Sequence, residues 1–204
     1  MAEICLRHNI IVCSDEIHCE LTYPGHTHIP FSSLGPEVAE RSIILTAASK
    51  AYNLPGIGLG IAISKNHDLL EQIGEYVHSL GLGGINVMSS TAVLAAFRDG
   101  QPWLDDLRQY LCANRDYAID FIAKNMPGIV PTRPEAMSLM LLHCQDSAIE
   151  GDPCAFFLNE AKVALSGEFG NQGYPYITRL NFGCPRSRLK EALERMATAL
   201  AEKT

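Results

Sequence analysis

Lys50 follows Ser49 in the run Thr46-Ala47-Ala48-Ser49-Lys50-Ala51-Tyr52-Asn53-Leu54-Pro55-Gly56, 35 residues after Asp15 in Ser14-Asp15-Glu16-Ile17-His18. An apolar, β-branched run leads into each group: Ile10-Ile11-Val12-Cys13 before the acid, and Ile43-Ile44-Leu45-Thr46 before the amine. Two strand ends thus offer an amine and a carboxylate. The amine can form a Schiff base with an aldehyde, and the carboxylate can hold a pyridine nitrogen protonated. Pyridoxal phosphate chemistry requires that pair of functions. Taken singly, each residue has a plainer reading: Lys50 as a solvated loop lysine, and Asp15 as a strand-end cap.

The elements that must place these groups read as a layered α/β sheet. Residues 2 to 8 read as a helix stopped at Asn9, and 10 to 13 as a buried strand. Residues 42 to 46 and 59 to 63 read as two more strands, too apolar to alternate and so expected to be covered on both faces. A Pro-, Gly- and His-rich stretch from Tyr23 to Pro36 reads as loop. Leu69, Leu70, Ile73 and Val77 share a helical stripe, broken by Gly81 to Gly84. A helix after Ser89 runs towards Phe97, and a long helix opens at Trp103 and ends near Asn125 to Pro127. Beyond it, 139 to 143 and 177 to 182 read as strands. Asp152-Pro153 opens a helix carrying Phe157, Leu158 and Ala161, and Pro185 precedes a last helix with Leu189, Leu193, Met196 and Leu200 on one face. The expected division is a large domain over 1–110 and a smaller α+β domain over 111–204.

A net charge of −7 and a pI near 5.5 argue against a phosphate-backbone partner, since nucleic-acid binding needs clustered Lys and Arg. No apolar run approaches the roughly 20 residues of a membrane span. The first residues show neither a basic segment nor a cleavage site, so the expectation is a cytoplasmic protein. Seven scattered cysteines without a Cys-x-x-Cys pair suit reduced thiols, and Cys13, Cys19, His18, His26 and His28 match no zinc spacing. Gly56-Ile57-Gly58-Leu59-Gly60 lacks the third glycine of a dinucleotide fingerprint and leads into a strand where that fingerprint needs a helix.

With these residues in place, the chain resembles the C-terminal part of a class I/II aminotransferase-type (fold type I) pyridoxal phosphate enzyme. The similarity is greatest to the cystathionine β-lyase-like branch of carbon-sulfur lyases. It is carried by the two motifs above, by Trp103-Leu104 through Tyr110-Leu111 to Asn114-Arg115, and by Arg179-Leu180-Asn181-Phe182 with Cys184-Pro185-Arg186. The resemblance implies an α/β fold: the C-terminal part of a large αβα cofactor domain, then a small α+β domain. It implies that Lys50 holds the cofactor and moves the proton at the substrate α-carbon, and that Asp15 pairs with the pyridine nitrogen. His18 stands where aminotransferases have a tyrosine for the cofactor's phenolic oxygen, and a satisfied turn histidine is its alternative. Ser49, and less directly Thr46, match hydroxyls near the cofactor phosphate. Arg179 matches the arginine that binds the substrate carboxylate as a bidentate fork, with a surface ion pair as the alternative. Glu16 reads as a structural cap or pairing residue.

The implied partners are a small amino acid substrate, sulfur-containing in the lyase branch, and a second copy in a homodimer, with no nucleic acid and no membrane. The implied activity is β-elimination giving thiol, pyruvate and ammonia. Aminotransferase activity and a non-catalytic binding or regulatory fragment are the alternatives. Gly58 occupies the place, eight residues after Lys50, where many aminotransferases carry an arginine. Met137-Ser138-Leu139 to Leu142 replaces the Thr-Tyr plus Trp segment of the lyase branch. Family members are longer than this chain, and the phosphate cap, ring-stacking aromatic and asparagine they carry are expected to lie before Met1.

Overall fold

A computed structural model describes residues 1–204 except Gly83, Glu168, Gly170, Asn171 and Thr204. The chain divides into two compact units, Met1–Asp106 and Leu107–Thr204.

In the first unit, α1 (Ala2–Arg7) ends in a Schellman turn. Asn9 takes the left-handed conformation (φ 57°), Asn9 N–H donates to Leu6 O at 3.2 Å and Ile10 N–H donates to Cys5 O at 2.8 Å. This turn occupies the residues before β1 (Val12–Asp15), so β1 begins later than the apolar run, and Ile10 and Ile11 lie exposed in the connection. Two 3₁₀ turns (Cys19–Leu21 and Phe31–Leu34) and α2 (Pro36–Glu40) form the crossover to β2 (Ser42–Thr46). β2 runs parallel to β1, with Asp15 opposite Leu45. After α3 (Ala48–Ala51), β3 (Ile61–Ile63) pairs antiparallel with β2.

α4 (His67–Ser79) is fixed to this sheet at its start. The Asn66 side chain accepts from Leu69 N–H at 3.1 Å and donates to Glu40 O at 3.1 Å, and Ser64 Oγ donates to Ser42 O at 2.7 Å. α5 (Val87–Asp99) is capped by Asn86 and so begins earlier than the start expected after Ser89. Gly81, at φ +72°, stands in the glycine stretch after α4; Gly83 of that stretch lies outside the described residues.

Coverage on both faces, expected of β2 and β3, is met over residues 42–44, which are buried, and is corrected at the end of β2 and in β3. β1 alternates between half-buried and exposed residues, β3 is largely exposed, and Leu45 and Ile63 are 38% and 52% accessible. Among the described residues, β1 pairs only with β2, and no residue of α4 is fully buried. The core of this unit lies instead under β2, around Tyr23, Val38, Ile43, Ile44, Ala48 and Ala51, with Val93 and Leu104 also buried.

The division between units falls within α6 (Gln101–Asn125). In the second unit, β4 (Val130–Pro131), β5 (Leu139–His143) and β6 (Ile177–Asn181) form an antiparallel sheet. Asp152 caps α7 (Pro153–Phe156), accepting from Cys154 and Ala155 N–H, and α7 continues as a π turn over Phe157–Ala161. α8 (Arg186–Ala201) packs on that turn: Arg195 donates from Nε to Ala161 O and from Nη2 to Lys162 O, both at 2.8 Å. Ala118, Ile122, Met140, Leu142, Phe157, Leu180, Leu193 and Met196 make the core.

Candidate functional site

The parallel register carries the chemistry. With Asp15 opposite Leu45, the C-terminal ends of β1 and β2 coincide, and Lys50 lies five residues beyond Leu45 on α3. This is the end of a parallel sheet where ligands bind in α/β folds. α3 is a single turn closed by backbone bonds, Tyr52 N–H to Ala48 O and Leu54 N–H to Ser49 O, both 3.0 Å. Asn53 then takes φ 53°, a conformation asparagine tolerates. Ala48 and Ala51 are fully buried while Lys50 is exposed, so the turn holds the amine outwards. The ring of Tyr52 anchors the turn, stacking on Trp103 at 6.3 Å and meeting Phe97 edge-on at 5.6 Å.

Asp15 is exposed at the end of β1, its Oδ1 accepting from Ile17 N–H at 3.2 Å. His18 is half-buried and close enough to Lys50 and Asp15 to feel both charges. Burial, then the Lys50 ammonium, lowers its pKa against the opposing pull of Asp15 and Glu20, so the neutral imidazole is favoured. Its Nδ1 is buried without a hydrogen-bond partner. Thr46 Oγ1 is likewise buried and makes no hydrogen bond of ordinary geometry, although the Cys19 thiol faces it. Ser49 is half-buried beside Lys50. A cavity of about 390 Å³ opens at this end, lined by Asp15, Ile17, Thr46 and Ala47 together with Ile73 and Val77 of α4.

Burial, reinforced by Glu20, pushes the Cys19 thiol up to about 11 and so favours its protonated form. All seven cysteines are free thiols. No group of three or more His, Cys, Asp or Glu among the described residues is placed to hold a metal ion. No helix among them is long and apolar enough to cross a membrane.

Arg179 belongs to the second unit. It sits mid-strand in β6, opposite Leu141, and its backbone bridges to Ser166 (N–H to O 2.9 Å, and Ser166 N–H to Arg179 O 3.2 Å). Its side chain is half-buried, and Nε is buried without a hydrogen-bond partner. The end of β6 is clamped by Asn114, whose Nδ2 donates to Phe182 O and Cys184 O at 2.9 Å while Oδ1 accepts from Arg186 Nε at 2.7 Å. Tyr110 Oη accepts from Arg186 N–H at 2.7 Å, and the Arg186 guanidinium lies 4.5 Å over the Tyr117 ring.

The structure therefore brings Asp15, His18, Thr46, Ser49 and Lys50 to one end of one sheet, and places Arg179 separately in the second unit. Glu16, a cap or pairing residue by its sequence, does more than that in the structure. It is 6% accessible and accepts three hydrogen bonds: from Ser14 Oγ at 3.0 Å, Phe31 N–H at 2.8 Å and His28 Nε2 at 2.8 Å. No periodicity signals a contact between residues 16 and 28, so the sequence carries no sign of this bond. The packing of Tyr52 between Phe97 and Trp103 likewise leaves no periodic trace.

The model for aminotransferase class I and II matches residues 1–196. The chain belongs to that family. The family is pyridoxal phosphate-dependent, and its members act on amino acids. The chain is 32% identical to the cystathionine beta-lyase PatB of Bacillus subtilis, aligning over 98% of this chain and 52% of that protein. It is 32% identical to Protein MalY of Escherichia coli, over 98% and 51% respectively. Among solved structures, cystalysin from Treponema denticola, which contains a pyridoxal 5'-phosphate cofactor, superposes with a TM-score of 0.93 at 26% identity, over 100% of this chain and 52% of that one. The fold is that of the fold type I pyridoxal phosphate-dependent transferases. The chain spans about half the length of the relatives it matches.

The residues present fit the cofactor. An exposed amine, an exposed carboxylate one strand away, and buried unpartnered atoms on His18 and Thr46 gather at one sheet end, where Asp15 and Thr46 line the cavity. Buried polar atoms left without partners are uncommon and call for a ligand or water to satisfy them.

Proposed function

We propose that the chain is the C-terminal part of a pyridoxal phosphate-dependent carbon-sulfur β-lyase, acting on cystathionine-like amino acids to give thiol, pyruvate and ammonia with consumption of water. The observation that carries this reading is the gathering of Asp15, His18, Thr46 and Lys50 at one strand end, with His18 Nδ1 and Thr46 Oγ1 buried and unsatisfied. Similarity to PatB supports the lyase rather than the transaminase, as does Gly58 in place of an arginine.

In this reading Lys50 is the covalent anchor and, once free, removes the proton at the substrate α-carbon. Asp15 keeps the pyridine nitrogen protonated by placing a negative charge beside it. His18, neutral at pH 7, hydrogen-bonds the phenolic oxygen, and Ser49 and Thr46 offer hydroxyls to the phosphate. Bound there, pyridoxal phosphate supplies an electron sink for charge developing at the α-carbon. Arg179 takes the substrate carboxylate with a planar fork that lysine cannot reproduce. Residues 1–110 act as part of a cofactor domain and 111–204 as the small domain, in a cytoplasmic homodimer. The experiment is to supply cystathionine with pyridoxal phosphate and assay pyruvate and ammonia without any oxo acid. Product formation supports the lyase, and turnover only with an oxo-acid acceptor assigns a transaminase.

A further inference from the structure

Glu16 lies between Asp15 and His18 in sequence, and strand alternation sends its side chain to the opposite side from Asp15. Its backbone extends the β1–β2 ladder by one residue, Glu16 N–H donating to Leu45 O at 2.8 Å, and its carbonyl accepts from Cys19 N–H at 3.0 Å to start the 3₁₀ turn. Its carboxylate reaches across the loop to His28 and to the Phe31 N–H. One residue therefore ties together the strand end, the turn bearing His18 and the far end of the 22–30 loop. A buried carboxylate is costly unless its donors are in place, so the loss of one donor weakens the whole clamp. An apolar residue would fill the same volume without imposing direction.

We propose that Glu16 is a positioning residue: by clamping His28 and the Phe31 backbone to the end of β1, it fixes the orientation of Asp15 and His18. This rests on the cofactor-facing roles given above for Asp15 and His18. The clamp transmits through Ser14 on the strand side and through Cys19 on the turn side, the two neighbours that share its surroundings.

The test uses the full chain with Glu16→Gln, His28→Ala and His28→Gln. Three quantities are read: hydrogen exchange in the peptide covering residues 26–31, the His18 titration by NMR, and affinity for pyridoxal phosphate. Glu16→Gln is expected to speed exchange in 26–31, to move the His18 midpoint back towards its ordinary value, and to weaken cofactor affinity about tenfold or more. His28→Ala, at a half-exposed position that tolerates truncation, is expected to act in the same direction, and His28→Gln, which keeps an N–H donor, to restore wild-type behaviour. Unchanged His18 titration in Glu16→Gln and His28→Ala overturns the proposal, even if exchange rises, because the clamp would then be structural alone. Failure of the wild-type chain to bind cofactor sinks the cofactor reading, whereas the exchange and His18 titration still decide the role of Glu16.

Discussion

Asp15 of β1 and Leu45 of β2 are register partners in a parallel pair. That single alignment converts a separation of 35 residues between Asp15 and Lys50 into adjacency at one sheet end, and it explains how one imidazole, His18, senses both charges.

The His18 titration follows directly. Its folded-state pKa is lowered, so near and below the ordinary value of about 6.5 the unfolded chain binds more protons, and stability falls as pH drops through that range. We expect the imidazole to titrate below its ordinary value by NMR, and Lys50→Ala to raise the midpoint by removing the ammonium. A midpoint indifferent to Lys50→Ala would break the adjacency.

Glu16 gives the acid limb. Burial raises its pKa, but the bonds from the Phe31 N–H, His28 and Ser14 outweigh burial and hold the carboxyl below the usual carboxylate range. Its contribution to stability is present above the unfolded value of about 4.3 and is lost as pH falls through the lower folded value. Urea unfolding across that range is expected to show a steeper acid loss in the wild-type chain than in Glu16→Gln.

A methyl at Gly100 would meet the Ala96 carbonyl and lie 2.7 Å from the Tyr52 ring. Gly100→Ala therefore has to displace the wedge that anchors the Lys50 turn, at a cost of about 1–3 kcal/mol. Thermal melting checks the cost, and hydrogen exchange at residues 48–54 checks whether the turn loosens with it.

How much of this was legible in the sequence depends on whether a feature is local or periodic. β2, β5 and α8 were readable because each is an apolar stretch bounded by breakers or caps, and the αL stop at Asn9 is a local backbone matter. β1 was misplaced towards Ile10 because apolarity alone cannot separate a strand from the turn that feeds it. Two-sided burial fails at β3 and at the end of β2 because apolarity does not report what packs on a strand's faces, and Leu45 and Ile63 are left open. The two-residue β4 and the Glu16–His28 bond depend on tertiary approach and leave no periodic trace. Lys50 and Asp15 are legible from their chemistry at the ends of apolar runs, and His18, Thr46, Ser49 and Arg179 only through motif resemblance; the structure adds the register that gathers five of the six.

Arg179 provides a prediction in which folding and binding diverge. Its Nε is buried without a partner, so Arg179→Met is expected to leave unfolding stability unchanged or improved while abolishing amino acid binding. Arg179→Lys is expected to weaken binding about tenfold or more, since a point charge replaces a bidentate fork. Calorimetric titration with an amino acid, beside denaturant unfolding, separates the two effects.

The central claim is that Lys50 captures pyridoxal phosphate, and the direct measurement is borohydride reduction of the chain incubated with that cofactor, followed by peptide mass spectrometry against Lys50→Ala. The account predicts one stoichiometric label, on Lys50, absent from the variant. No label, or label spread over surface lysines and unchanged in Lys50→Ala, would contradict it.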